Sequence, residues 1–159
     1  MPSPAGSLVL EFPPPPPAVA ADHLRETLSR TTDPSDVHAD LERGETGFVV
    51  LDARSPEAFA RGHVPGAINL PHRKIDAETT ATLRKDVPIV AYCDGAHCNA
   101  STKAAMKLAE LGFLVKEMIG GMDGWIRDGW DVEMGGAETA AAAAGNAAGE
   151  AARNALCGC

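Results

Sequence analysis

Four short strand-like runs limit what this chain can fold into: FVVLDA at residues 48–53, AINL at 67–70, PIVAY at 88–92 and VKEMI at 115–119. FVVLDA and PIVAY are apolar on both faces, which suits strands buried in a parallel sheet. Helix patterns lie between the runs. Asp33-Pro34 offers an N-cap followed by a proline at the first helical position, and Gly44 a stop. Ser55-Pro56-Glu57 opens a second helix, closed by Gly62. Ile75 to Lys85 reads as a third. Ser101 to Leu111 places Ala104, Ala105, Leu108 and Leu111 on one face ahead of Gly112, and Met122 to Asp128 follows Gly120-Gly121 as a short last helix. Strands alternating with helices from about residue 33 to 134 predict an α/β fold, with a mainly parallel sheet covered on both faces and right-handed crossovers.

The flanks differ in composition. Pro13 to Pro17 is an unbroken proline run, expected to be extended polyproline II, which sets residues 1–17 apart as an arm. Ala18 to Arg30 spaces Val19, Leu24 and Leu28 among charges as a modest amphipathic helix. The domain is therefore expected over residues 18–134, this helix included. Residues 135–159 are rich in Ala and Gly and have almost no large apolar side chain to dock them, so a flexible tail is expected, ending in Cys157-Gly158-Cys159.

Apolar residues make up 45% of the 159, enough for the core of one ordinary domain with tails. A net charge of −8 argues against a nucleic-acid partner, which would want a basic face. No run approaches the roughly 18 apolar residues of a membrane span. The segment MPSPAGSLVLEF lacks the basic start of a secretory signal, so a cytoplasmic location is expected, with no membrane partner. The acidic charge and the lack of an obvious apolar stripe favour a monomer. The four cysteines fall in two local pairs, Cys93 with Cys98 and Cys157 with Cys159, which points to reactive thiols or metal ligands rather than a disulfide framework.

Cys93 ends the third apolar run, ahead of a Gly-containing segment and the helix near Ser101. That is the carboxyl edge of an α/β sheet, where ligands bind. It is also a helix N-terminus, which favours a thiolate over a thiol. Backbone N–H groups of residues 94–101 can form an anion-binding nest there, and Gly95 allows close backbone approach. The loop comprises Asp94, Gly95, Ala96, His97, Cys98, Asn99, Ala100 and Ser101. The plainer reading is a buried strand-end cysteine with no chemistry.

Three segments together resemble the rhodanese family of single-domain sulfurtransferases: LDARSPEAFARGHVPGAINLPH at 51–72, AYCDGAHCNASTKAA at 91–105 and GGMDGWIRDGW at 120–130. The resemblance implies a three-layer rhodanese-like fold with a sheet of about five strands. It implies that Cys93 is catalytic and carries sulfane sulfur as a persulfide. The sulfur would come from a small donor such as thiosulfate or a thiol persulfide, and pass to cyanide or a thiol, a protein thiol among the candidates. No metal and no organic cofactor are implied. Asp52 and Arg54 would brace the active-site loop; a surface ion pair or a cap for the Ser55-Pro56 helix is the alternative.

The chain departs from the family pattern at two points. The compact family loop often reads C-x-x-G-x-R-S. Here the loop is about two residues longer, lacks the arginine and carries Asp94, so a dianion such as thiosulfate is expected to be less welcome. The second departure is Cys98. It is a candidate resolving thiol that attacks the Cys93 persulfide, releasing sulfide and leaving a disulfide. It is alternatively the nucleophile itself, or inert. His97 would stabilise a thiolate if protonated, or is merely solvated. His63 is expected to be structural within its turn, and Trp125 and Trp130 to pack on the core or rim. The terminal Cys157 and Cys159 suit a sulfur relay, a soft-metal or redox pair, or no role.

Two other functions compete. A phosphatase or arsenate reductase of this fold would need an arginine six residues after the cysteine to clamp the oxyanion, and Asn99 stands there. A non-catalytic binding or redox-sensor module would use Cys93 and Cys98 as a disulfide, provided the loop brings their Cα atoms within about 7 Å.

Overall fold

The computed structural model describes residues 6–45 and 47–136. Cys157, Cys159 and the Ala-rich stretch lie outside the described residues. The chain divides into two units, Met1–Arg30 and Thr31–Cys159.

The first unit contains helix α1, Pro17–Arg30, none of whose residues is buried. The helix takes in the last proline of the run, where extended backbone is expected throughout. Proline is tolerated at the first helical position because its missing N–H would have no partner there, and the following turn closes normally with Ala20 N–H donating to Pro16 O (3.0 Å).

The second unit is a five-stranded parallel sheet in the order β1-β5-β4-β2-β3. Its strands are β1 (Thr31–Thr32), β2 (Val49–Asp52), β3 (Ile68–Asn69), β4 (Ile89–Tyr92) and β5 (Val115–Met118). Its helices are α2 (Pro34–Glu42), α3 (Pro56–Arg61), α4 (Ala100–Glu110) and α5 (Gly121–Arg127). The predicted caps form: Asp36 N–H donates to Asp33 Oδ1 (2.9 Å) at α2 and Ala58 N–H to Ser55 Oγ (3.2 Å) at α3. β1 has no counterpart among the strand-like runs, because two threonines carry no period; it pairs with β5 at the sheet edge.

The strand period of two sorts the core onto the two faces. Leu51, Ile89 and Ala91 meet Ala104 and Leu108 of α4. Val50, Val90 and Tyr92 meet Val37 of α2, Phe59 of α3 and Met122 and Trp125 of α5. The three layers and the mainly parallel sheet are those the sequence predicts. β4 lies between β2 and β5 with all four residues buried, so its carboxyl end opens at the middle of the sheet edge.

The segment Ile75 to Lys85 is not helical. A 3₁₀ turn, His72–Lys74, is followed by successive turns. Asp76 and Thr79 bond each other's backbone, Thr79 N–H to Asp76 Oδ1 (2.8 Å) and Asp76 N–H to Thr79 Oγ1 (3.0 Å). Beyond them Ala81 N–H to Glu78 O and Leu83 N–H to Thr80 O span three residues, not four. Short polar side chains capture the backbone bonds that a helix would need, and the β-branched threonines disfavour the helix further. No helix among the described residues is long and apolar enough to cross a membrane.

Candidate active site

Cys93 follows β4 directly and is 2% exposed. Its Sγ lies 3.1 Å from Ser101 Oγ and 3.2 Å from the carbonyl oxygen of Cys98. Asn99 stands at the N-cap of α4 without a side-chain cap bond, leaving the first N–H groups of the helix free for the loop and its contents. α4 begins at Ala100, one residue earlier than predicted. Not every loop N–H points inward as a nest would require: Cys98 N–H donates to Gly95 O (3.0 Å), closing a turn.

The thiol differs from its sequence expectation. Burial pushes Cys93 above the ordinary thiol range, opposed by the Ser101 hydroxyl and N–H, while the neighbouring Cys98 thiol raises it further. The N-terminus of α4 is close by, and burial is the largest influence on the charged form. The contact of Sγ with the Cys98 carbonyl oxygen is that of an S–H donor.

The loop is held from two sides. On one, the buried Asp52 carboxylate accepts from Arg54 Nη2 (2.6 Å), Arg54 Nε (3.0 Å) and the Tyr92 hydroxyl (2.6 Å). The Tyr92 oxygen in turn accepts from Val64 N–H (3.1 Å), and Arg54 Nη2 also donates to Gly62 O (2.7 Å). Burial would lower the Arg54 pKa, but the hydrogen bond and charge of Asp52 override it, so the guanidinium is held firmly protonated. Burial and the Asp52 charge push the Tyr92 hydroxyl far up, so it is a donor throughout the physiological range. From this cluster Arg54 Nη1 reaches Asp94 Oδ1 (3.5 Å). Asp94 therefore turns toward a cation and does not line the Cys93 cavity.

On the other side, α5 packs against the loop backbone. Met122 N–H donates to Cys93 O (3.0 Å) and Asp123 N–H to Asp94 O (2.7 Å). Gly121, at φ +51°, makes this approach possible, since a Cβ there would strike the backbone of Cys93 and Asp94. Gly95 is buried against the Asp123 side chain.

Sγ faces a cavity of about 470 Å³ whose lining includes Cys98, Ser101, Thr102, Glu117 and Ile119. Among the described residues that line it none is Lys or Arg. Ala96 and His97 are exposed at its rim, and His97 Nδ1 lies 3.5 Å from Asp123 Oδ2. Cys98 is half-buried beside Cys93. Glu117, in the middle of β5, is a site residue that sequence reasoning misses: its Oε1 accepts from Ser101 Oγ (2.7 Å) and Thr102 Oγ1 (2.8 Å). The local signal is no more than a carboxylate within an otherwise strand-like run.

The remaining candidates are structural in their contacts. His63 is 5% exposed, donates from Nδ1 to Phe59 O (2.9 Å) and stacks on the Phe59 ring (centroids 3.5 Å apart). Trp125 is buried and Trp130 stacks on His38 of α2 at 4.4 Å. Among the described residues no group of three His, Cys, Asp or Glu is placed to hold a metal ion.

Residues 33–128 match the rhodanese-like domain. The chain is 37% identical over 125 residues to the HTH-type transcriptional regulator Rv0324 of Mycobacterium tuberculosis, a match that covers 74% of this chain and 55% of that protein. It thus spans little more than half the length of that relative. It is 38% identical over 86 residues to the thiosulfate sulfurtransferase GlpE of Ectopseudomonas mendocina, 53% of this chain and 75% of that one. Among solved structures, the BH2092 protein of Bacillus halodurans superposes with a TM-score of 0.73 at 43% identity, covering 75% of this chain and 87% of that one. A rhodanese-related protein of Thermoplasma volcanium superposes at 0.57 with 26% identity, covering 67% and 99%. The parallel sheet, the cysteine at the end of its central strand and the match over residues 33–128 agree: this chain belongs to the rhodanese-like domain family.

Proposed function

We propose that the chain is a sulfurtransferase that carries sulfane sulfur as a persulfide on Cys93. The observation that carries this reading is the position of Sγ, at the end of β4 and 3.1 Å from the Ser101 hydroxyl at the first turn of α4, facing a cavity. The Cys93 thiolate attacks the outer sulfur of the donor; a new S–S bond forms to Cys93, and the donor's own bond breaks with the electron pair leaving on the donor fragment. That fragment is a thiolate when the donor is a thiol persulfide and sulfite when it is thiosulfate. An acceptor thiolate or cyanide then attacks the terminal sulfur, and the Cys93 thiolate leaves. The N-terminus of α4 and the Ser101 hydroxyl stabilise the anionic sulfur in both steps.

The relatives named as thiosulfate sulfurtransferases support the reaction class. The cavity supports a different preferred donor. Lined by the Glu117 carboxylate and by no cation among the described residues, it suits a thiol persulfide, whose reacting end carries at most one negative charge, better than the compact thiosulfate dianion. Turnover with glutathione persulfide or thiosulfate and cyanide as acceptor tests the proposal. Cys93→Ser is expected to abolish it and Cys98→Ser to retain it; turnover surviving in Cys93→Ser would contradict the assignment.

A second reading is a redox-sensor module built on a Cys93–Cys98 disulfide. It is favoured by the contact of Sγ with the Cys98 backbone and by the nearness of the two thiols, and one relative is named a transcriptional regulator. It predicts a disulfide under mild oxidant and no sulfur turnover in the reduced protein.

A further inference from the structure

Ser101 Oγ stands between two acceptors, Cys93 Sγ at 3.1 Å and Glu117 Oε1 at 2.7 Å. A hydroxyl has one proton. A carboxylate oxygen is a far stronger acceptor than a neutral thiol sulfur and has the stronger claim on it. In that rotamer Ser101 faces Cys93 with a lone pair and offers a thiolate no donor, while the single S–H of Cys93 has the Cys98 carbonyl oxygen as its acceptor. We infer that Glu117 is a positioning residue for Cys93: by holding the Ser101 proton it keeps the sulfur neutral at rest and sets the pH at which it becomes an anion. The inference rests on the reading of Cys93 as the nucleophile.

When Sγ turns anionic, as thiolate or persulfide, the Ser101 O–H rotates from Glu117 to the sulfur. No proton is transferred. Glu117 keeps the Thr102 hydroxyl (2.8 Å), so the carboxylate is not stripped of donors by the rotation. The Thr102 bond is thus part of the device, and both hydroxyls come from the first turn of α4.

Few other charges bear on the sulfur. From the loop, Cys98 lies beside it and Asp94 is drawn to Arg54. His97 pairs with Asp123 of α5. Asp52 and Tyr92, behind the strand end, are tied to each other and to Arg54. On β5, Lys116 Nζ reaches Thr31 O (3.3 Å) at β1. On α4, Lys103 acts on His72. At α2, Asp33 caps its own helix. Glu117 is the charged group joined to Cys93 through a single hydroxyl.

The test is the pH profile of Cys93 alkylation by iodoacetamide, read at that residue by peptide mass spectrometry on the full chain. Glu117→Gln keeps an acceptor for Ser101 but removes the charge. The midpoint is expected to fall by about one pH unit, so that alkylation below it runs about tenfold faster. Ser101→Ala is expected to raise the midpoint, and Glu117→Gln added to it to move the midpoint by less than half of its shift in the Ser101 protein. Thr102→Ala, which leaves Glu117 leaning on Ser101 alone, is expected to raise it; this arm carries the test should Glu117→Gln lose its melting transition. An unchanged midpoint in a folded Glu117→Gln, the full shift persisting without Ser101, or no rise in Thr102→Ala would each overturn the inference. If the midpoints move as stated while Cys93 takes sulfur from no donor, sulfur transfer fails and the role of Glu117 stands. If Cys93 takes sulfur while the midpoints stay fixed, sulfur transfer stands and the role of Glu117 fails.

Discussion

At the scale of the residue, chemistry at Cys93 is governed by a contest between burial and donors. Burial holds the thiol neutral above its ordinary range, against the Ser101 hydroxyl and N–H. Only the thiolate is nucleophilic. The rate of sulfur uptake is therefore expected to rise with pH through and beyond the ordinary thiol range, not to level off near neutrality; a stopped-flow pH profile with a persulfide donor checks it. The Asp52 cluster makes a second residue-scale case. Arg54 is 9% exposed and pairs with a carboxylate that is fully buried. Arg54→Leu would leave that charge uncompensated and is expected to destabilise the fold by about 3–5 kcal/mol, measured by chemical denaturation. Tyr92→Phe removes one donor from Asp52 and an acceptor from Val64 N–H, and is expected to cost about 1–3 kcal/mol in the same assay. Cys93, Asp52 and Arg54 are legible in the sequence because each lies at or just past the end of an apolar run. Glu117 and the Tyr92 hydroxyl are not. Their partners come from other elements, across 16 residues for Ser101 and 40 for Asp52, and no local pattern contains those distances.

At the scale of the element, the site depends on how α5 meets the loop. Two backbone bonds from Met122 and Asp123 hold Cys93 and Asp94, and Gly121 at φ +51° lets the helix come that close. Gly121→Ala places a Cβ against backbone in a conformation that disfavours any side chain. It is expected to cost about 1–3 kcal/mol and to slow sulfur uptake, checked by thermal melts alongside transfer kinetics. The elements legible in the sequence are those with their own end signals, as at Asp33-Pro34 and Ser55-Pro56, or a run buried on both faces, as at 48–53 and 88–92. Residues 75–85 mislead because they contain no Gly or Pro to break a helix while Asp76, Thr79 and Thr80 spend their side chains on the backbone. β1 exists only because β5 offers it an edge.

At the scale of the molecule, the strand order places β4 centrally and brings β2, the loop and α5 to one edge around a single sulfur. Asp94 shows how that assembly revises a local reading: taken alone it repels an anionic donor, but in the fold it faces Arg54, and the negative charge on the cavity wall comes from Glu117. A cavity of that kind in a chain of net charge −8 is expected to give a thiol persulfide at least about a tenfold higher kcat/KM than thiosulfate, read from initial rates with a common acceptor. The central claim, that Cys93 is the sulfur carrier, is tested most directly by the mass of the reduced chain after brief exposure to glutathione persulfide and removal of the donor. The predicted result is a gain of one sulfur atom, located at Cys93 by fragmentation, lost on adding cyanide and absent in Cys93→Ser. An unchanged mass with every donor tried, or a sulfur found on Cys98 with Cys93 unmodified, would contradict it.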